Sequence, residues 1–236
     1  KAGLPVGSLQ LLIGKGGNIG QIVLNDTRIK GVVFTGSCET AKKIQNDLVK
    51  REGEIIPFMA ETGGLNFMII DSSALTEQVV DDAIESGFNA AGQRCSALRI
   101  LAIQDEVYDK TLKMLIGATN KIKIGLPNLL STDIGPVIDQ EAKDRINNHV
   151  KSFKSKVLSQ SPLESKYQGY YVTPTIIEIE NLNEVKEEIF GPVIHVYKYK
   201  SNEIEKLISD INKMNYGLTL GIQSRIENTI NYIFNN

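Results

Sequence analysis

Two residues in this sequence have side chains and settings suited to covalent chemistry: a cysteine and a glutamate. Cys95 closes the run Gly92-Gln93-Arg94-Cys95, and Glu61 opens the run Glu61-Thr62-Gly63-Gly64. A thiolate can attack an electrophilic carbon, and a carboxylate can activate the water that hydrolyses the resulting thioester. Each residue also has an ordinary explanation. A lone cysteine is most often a small buried hydrophobe, and a carboxylate in a glycine-rich turn is most often just solvated. Placement speaks for the pair, because Glu61 follows a strand, where open α/β folds present functional groups.

Phe34-Thr35-Gly36-Ser37 puts a glycine and a hydroxyl where a strand meets a helix N-terminus. Free N–H groups and the helix dipole favour a phosphate there, but taken alone Ser37 reads first as a plain N-cap. Gly14-Lys15-Gly16-Gly17-Asn18-Ile19-Gly20 imitates a dinucleotide fingerprint and fails it, since the register needs glycine where Ile19 stands. It reads as a flexible turn.

These residues need an α/β scaffold, and apolar runs alternate with turn signals in that manner. Strands are expected at Ser8–Ile13, at Gly31–Phe34 as a short buried strand, and at Pro57–Ala60. Helices are expected at Asn18–Leu24 and after Ser37, the latter burying Ala41, Ile44 and Leu48. Residues 1–62 thus read as the later part of a Rossmann-like nucleotide-binding domain, with Glu61–Gly64 as a tight turn. Residues 63–236 begin a second α/β unit with a strand at Asn66–Ile70 and cap-type residues Asp71, Ser72 and Ser73. The stripe Val79, Val80, Ala83, Ile84, Gly87, Phe88 and Ala91 predicts a helix running to Cys95. Leu98–Ile103 is the next strand. Helices follow around Val107–Ala118 and Ile138–Phe153, then a loop over Ser152–Gly169 and a strand at Tyr170–Glu180. A helix at Ile204–Ile211 and a core strand at Leu218–Gln223 complete the pattern.

Composition excludes several classes. Apolar residues make up 42% of the chain, and the longest apolar runs are strand-sized, so no membrane span is expected. The net charge of −2 comes from interspersed acids and bases, which leaves no footprint for nucleic acid or an anionic membrane. Cys38, Cys95, His149 and His195 are too few and too scattered for a metal site. A reduced, cytoplasmic setting fits this cysteine usage. Lys1–Pro5 reads as the middle of a connection and Phe234–Asn236 as an abrupt stop, so a fragment of a longer parent is expected.

Glu61-Thr62-Gly63-Gly64, followed 34 residues later by the cysteine of Gly-Gln-Arg-Cys, resembles two signatures of the aldehyde dehydrogenase superfamily. Glu187-Glu188-Ile189-Phe190-Gly191-Pro192 resembles a third and Phe34-Thr35-Gly36-Ser37 a fourth, all in family order. The resemblance implies a partial NAD domain followed by most of a catalytic α/β domain, NAD as cofactor and a small aldehyde as substrate. It gives Cys95 the role of nucleophile and Glu61 that of general base. Gly36 and Ser37 would contact the cofactor pyrophosphate, Glu188 the nicotinamide ribose, and Phe190 would pack on the cofactor. The words around Ala60–Gly64, Ala91–Arg99, Asp133–Asp139 and Tyr216–Gly221 look like the aldehyde dehydrogenase module of bacterial proline utilization A. That group oxidises L-glutamate γ-semialdehyde to L-glutamate. Ser96 would then bind the substrate carboxylate, with Arg94 adding charge near the thiol or simply lying on the surface. Cys38 reads as a neutral substitution within the phosphate-turn word.

The resemblance also implies a homo-oligomeric parent. It places an oxyanion-hole asparagine and an adenosine-binding lysine before this chain, and a substrate-anchoring loop and an oligomerisation hairpin after it. The isolated fragment is therefore expected to be inactive. Two other readings stay open here: a truncated remnant without turnover, and an aldehyde dehydrogenase for another substrate such as succinate semialdehyde.

Overall fold

The computed structural model describes residues 3–163 and 168–236. Lys1 and Ala2 of the expected connection, and Glu164–Tyr167 of the expected loop, lie outside the described residues. The chain divides into two compact units, Lys1–Gly63 and Gly64–Asn236.

The first unit contains helix α1 (Gly16–Asn25), strand β1 (Val32–Gly36), helix α2 (Cys38–Lys50) and strand β2 (Phe58–Thr62). β1 and β2 pair in parallel, with Thr35 opposite Glu61 and Gly36 opposite Thr62. Four expectations are corrected here. Ser8–Ile13 forms no strand: Leu9, Leu11, Leu12 and Ile13 are exposed, and the described strands of this unit pair only with each other. The glycine run is not all turn, because α1 already starts at Gly16. β1 is not buried, with Val33 73% exposed, since a two-stranded ribbon leaves its faces open. Glu61 and Thr62 also prove to be the last residues of β2 rather than a turn.

The second unit is built on a six-stranded sheet. Its strands are β3 (Asn66–Ile70), β4 (Leu98–Gln104), β5 (Val157–Gln160), β6 (Thr175–Ile179), β7 (Val193–Tyr199) and β8 (Leu220–Gln223). They lie in the order β5-β6-β7-β4-β3-β8, all parallel except β5, which runs antiparallel to β6. Helices α3 (Thr76–Phe88), α4 (Asp105–Thr119), α5 (Gln140–Ser152), α6 (Ile204–Lys213) and α7 (Glu227–Asn235) complete the unit. All seven β4 residues are buried, as an inner strand of a parallel sheet requires. Val79, Val80, Ala83 and Phe88 pack the α3 stripe into the same core. Each large apolar side chain so buried contributes roughly 1.5–3 kcal/mol. Among the described residues, no helix is long and apolar enough to cross a membrane.

The second unit also departs from expectation. α3 stops at Phe88, because Ala90 and Ala91 (φ 55°) and Gly92 (φ 67°) are left-handed. Cys95 therefore sits beyond a sharp reversal, not on the helix. Leu75 is the N-cap of α3 and makes no side-chain capping bond, while Asp71 closes a local turn onto Ser73. The polar stretch after Ser152 contains β5, and β8 is an edge strand with Leu220 exposed, not a core strand.

Candidate active site

Cys95 and Ser96 occupy the tip of a tight turn leading into β4. The turn closes where the Ala97 N–H meets the Arg94 carbonyl at 3.1 Å, so the Cys95 amide is not consumed in closing it. Both tip residues are exposed, and Ala97 behind them is fully buried. Asn66, buried at the start of β3, holds the turn from one side. Its Nδ2 donates to the carbonyls of Cys95 (2.7 Å) and Ala97 (2.9 Å), and its Oδ1 accepts the Thr219 N–H at 3.2 Å.

Arg99 holds it from the other side. This guanidinium is 1% exposed, and a buried charge survives only if paired and hydrogen-bonded. Nη1 donates to the carbonyls of Gly92 (2.8 Å) and Gly191 (3.3 Å), and Nη2 to the Arg94 carbonyl (3.1 Å). Glu188 supplies the counter-charge through Oε1, 2.8 Å from Nη2 and 3.2 Å from Nε. Burial pushes the Arg99 pKa down, and Glu188 and, more weakly, Cys95 pull it back up. The Phe190 ring lies 5.5 Å from the Arg99 carbon and is itself 43% exposed. One buried arginine thus joins the cysteine word to the Glu188–Pro192 word. Gly92 belongs to this junction: at φ 67° it is left-handed, and a Cβ there would overlap the Gly191 carbonyl.

Arg94, on the same turn, engages the backbone of α3. Its Nη2 donates to the Glu85 carbonyl at 2.8 Å and reaches Ser86 at 3.5 Å, so its charge serves the last turn of α3. Gln93 fixes the loop by accepting the Ile138 N–H at 2.9 Å, which brings in the Asp133–Asp139 word.

In the first unit, Ser37 caps α2, its Oγ accepting the Thr40 N–H at 3.2 Å. The register sets Glu61 opposite Thr35, so the candidate base and the phosphate-turn residues share one end of the ribbon. Cys38 opens α2 and is partly buried. Among the described residues, no cluster of three or more His, Cys, Asp or Glu could hold a metal.

The aldehyde dehydrogenase family model matches residues 1–236, the whole chain. The chain belongs to the aldehyde dehydrogenase family. It is 49% identical to the bifunctional protein PutA of Escherichia coli K12, over 98% of this chain and 18% of that protein. It is 32% identical to a 1-pyrroline-5-carboxylate dehydrogenase from a Geobacillus strain, over 95% of this chain and 44% of that protein. A crystal structure of bifunctional proline utilization A matches 99% of this chain and 24% of its own, with a TM-score of 0.94 at 42% identity. The chain thus spans about a fifth of the length of the PutA relatives it matches.

Asn66 and Arg99 are residues of this candidate site that the sequence motifs did not single out. Both carried a signal, being polar residues inside strand runs that are otherwise apolar, which demands a partner. Behind the turn, the buried His195 of β7 meets the Arg99 carbonyl through Nδ1 at 3.1 Å. A carbonyl only accepts, so Nδ1 carries the proton, and Nε2 accepts from His149 Nε2 at 2.9 Å. Burial pushes the His195 pKa down to about 3, and His149 adds to the shift.

Proposed function

We propose that this chain supplies the nucleophile, the general base and part of the cofactor site of an NAD-dependent dehydrogenase that oxidises L-glutamate γ-semialdehyde to L-glutamate in proline catabolism. The observation that carries the reading is an exposed thiol on a turn pinned by two buried side chains, with a paired glutamate and an open aromatic ring beside it. The substrate is supported by relatives named PutA and 1-pyrroline-5-carboxylate dehydrogenase, since pyrroline-5-carboxylate is the ring-closed form of that semialdehyde.

Taken unit by unit, the residues suit parts of a dinucleotide. The α2 N-terminus, which follows Gly36 directly, suits a phosphate. Arg99 engages Oε1 of Glu188, which leaves Oε2 for a ribose hydroxyl, and the exposed Phe190 ring offers an apolar surface. NAD+, when bound, supplies the two-electron acceptor that takes the thiohemiacetal to the thioester.

The Cys95 thiolate adds to the aldehyde carbon, forming a C–S bond and leaving an alkoxide that the Cys95 amide stabilises. Glu61 takes a proton from water, which attacks the thioester carbon. The C–S bond breaks, glutamate leaves and the thiolate is restored. Ser96, exposed on the same turn, donates to the substrate α-carboxylate, and binding energy remote from the reacting carbon can lower the barrier.

Reduction of NAD+ by the enzyme that carries this chain, measured with L-glutamate γ-semialdehyde, succinate semialdehyde and butanal, tests the proposal. The amino-acid aldehyde should have the highest kcat/KM, and Ser96→Ala should lower that value more than the value for butanal. Equal losses on both would remove Ser96 from substrate binding, and no turnover of any aldehyde would leave the reading of a remnant without activity.

A further inference from the structure

We propose that Arg99 is a positioning residue that fixes the Arg94–Cys95 peptide and is itself held by Glu188, so that the cofactor-side glutamate sets the charge around the thiol. The inference rests on Cys95 being the nucleophile. The Arg94 carbonyl accepts both Arg99 Nη2 and the Ala97 N–H at 3.1 Å, which fixes the plane of the peptide whose other face is the Cys95 N–H. Donation to that oxygen polarises the peptide and strengthens the N–H as a donor to the alkoxide. Arg99 also grips the Gly92 carbonyl at the end of three successive left-handed residues, a conformation that the surrounding structure must hold in place.

Within the second unit, the charged and titratable groups that hold the Cys95 turn divide by element. Arg99 comes from β4 and Glu188 from the segment before β7. Arg94 lies on the thiol's own turn with its guanidinium on α3 carbonyls, and His195 of β7 stays neutral against the Arg99 carbonyl. Arg99 and Cys95 attract each other when both are charged. Glu188 offsets the arginine, so the two partners act on the thiolate with opposite signs.

The test is the pH dependence of Cys95 alkylation by iodoacetamide in the full-chain enzyme, followed by peptide mapping to separate it from Cys38. Glu188→Gln leaves Arg99 with its three carbonyls and an unopposed charge, so the midpoint should fall by about 0.5–1 pH unit. Arg99→Gln should raise it by a similar amount, and the double variant should lie between the two. A merely structural arginine would change the yield of folded protein without moving the midpoints in opposite directions. If Arg99→Gln does not fold, Glu188→Gln decides alone: an unchanged or raised midpoint overturns the proposal. Opposite shifts in an enzyme that oxidises none of the aldehydes would sink the proposed substrate and leave the coupling standing.

Discussion

β4 in the second unit and β1 in the first are both short apolar strands, yet they end in opposite environments. β4 lies between β3 and β7 with every residue buried, whereas β1 has a single described neighbour and Val33 stands 73% exposed. An apolar run specifies a strand, while the number of neighbouring strands decides whether it is buried. The same contrast governs the candidate functional residues. Glu61, Gly36 and Ser37 are aligned by backbone register and a helix cap, while Cys95 is aligned by buried side chains from β3 and β4. The second arrangement should be the less tolerant of substitution.

The largest effect should come from Cys95→Ser, with aldehyde oxidation falling about 10³-fold or more. Its melting temperature should stay near wild type because the side chain is exposed, and Cys38→Ser should retain most activity. Acid should next separate the two units. Folding lowers the His195 pKa from 6.5 to about 3, so the unfolded chain takes up the proton first. The stability contribution is complete above pH 6.5 and drains away as pH falls toward 3, on the order of a few kcal/mol in all. Thermal melts from pH 7.5 to 4.5 should show the second unit weakening, and His195→Phe should flatten that dependence. A slope unchanged in His195→Phe would assign the acid sensitivity elsewhere.

Smaller effects probe the left-handed turn. Gly92→Ala places a Cβ against the Gly191 carbonyl at a positive φ and should cost about 2–4 kcal/mol by urea denaturation. Ala90→Gly should do the reverse. Relief of the left-handed strain of about 1–2 kcal/mol outweighs the entropy of the added glycine, leaving a gain of about 0.5–1 kcal/mol. A loss of stability in Ala90→Gly would mean that its methyl group packs more than its backbone strains.

Much of the fold was legible in the sequence, and the gaps have physical causes. Asn66–Ile70 forms as expected because five buried residues between two strands leave the pattern no other solution. β7 escaped because Val193–Tyr199 carries His195 and Lys198, which break both an apolar run and a strict alternation. The structure absorbs them by pairing His195 with His149 and leaving Lys198 outward, over the Tyr108 ring. The helix carried through to Cys95 was misjudged because alanine is a strong helix former, and nothing local marks Ala90 and Ala91 as left-handed. Motif words singled out Cys95, Glu61 and Glu188 as candidates, but not the reason Glu188 sits where it does. That reason is Arg99, whose charge within Leu98–Gln104 makes sense only once its carbonyl partners surround it.

The central claim, that Cys95 carries the acyl group and Glu61 releases it, is tested most directly by trapping. Glu61→Gln enzyme mixed with L-glutamate γ-semialdehyde and NAD+, quenched in acid and analysed by peptide mass spectrometry, should show a glutamyl thioester on the Cys95 peptide at close to one per chain. It should also show a burst of NADH before slow turnover. An unmodified Cys95 peptide, or an adduct on Cys38, would contradict the assignment.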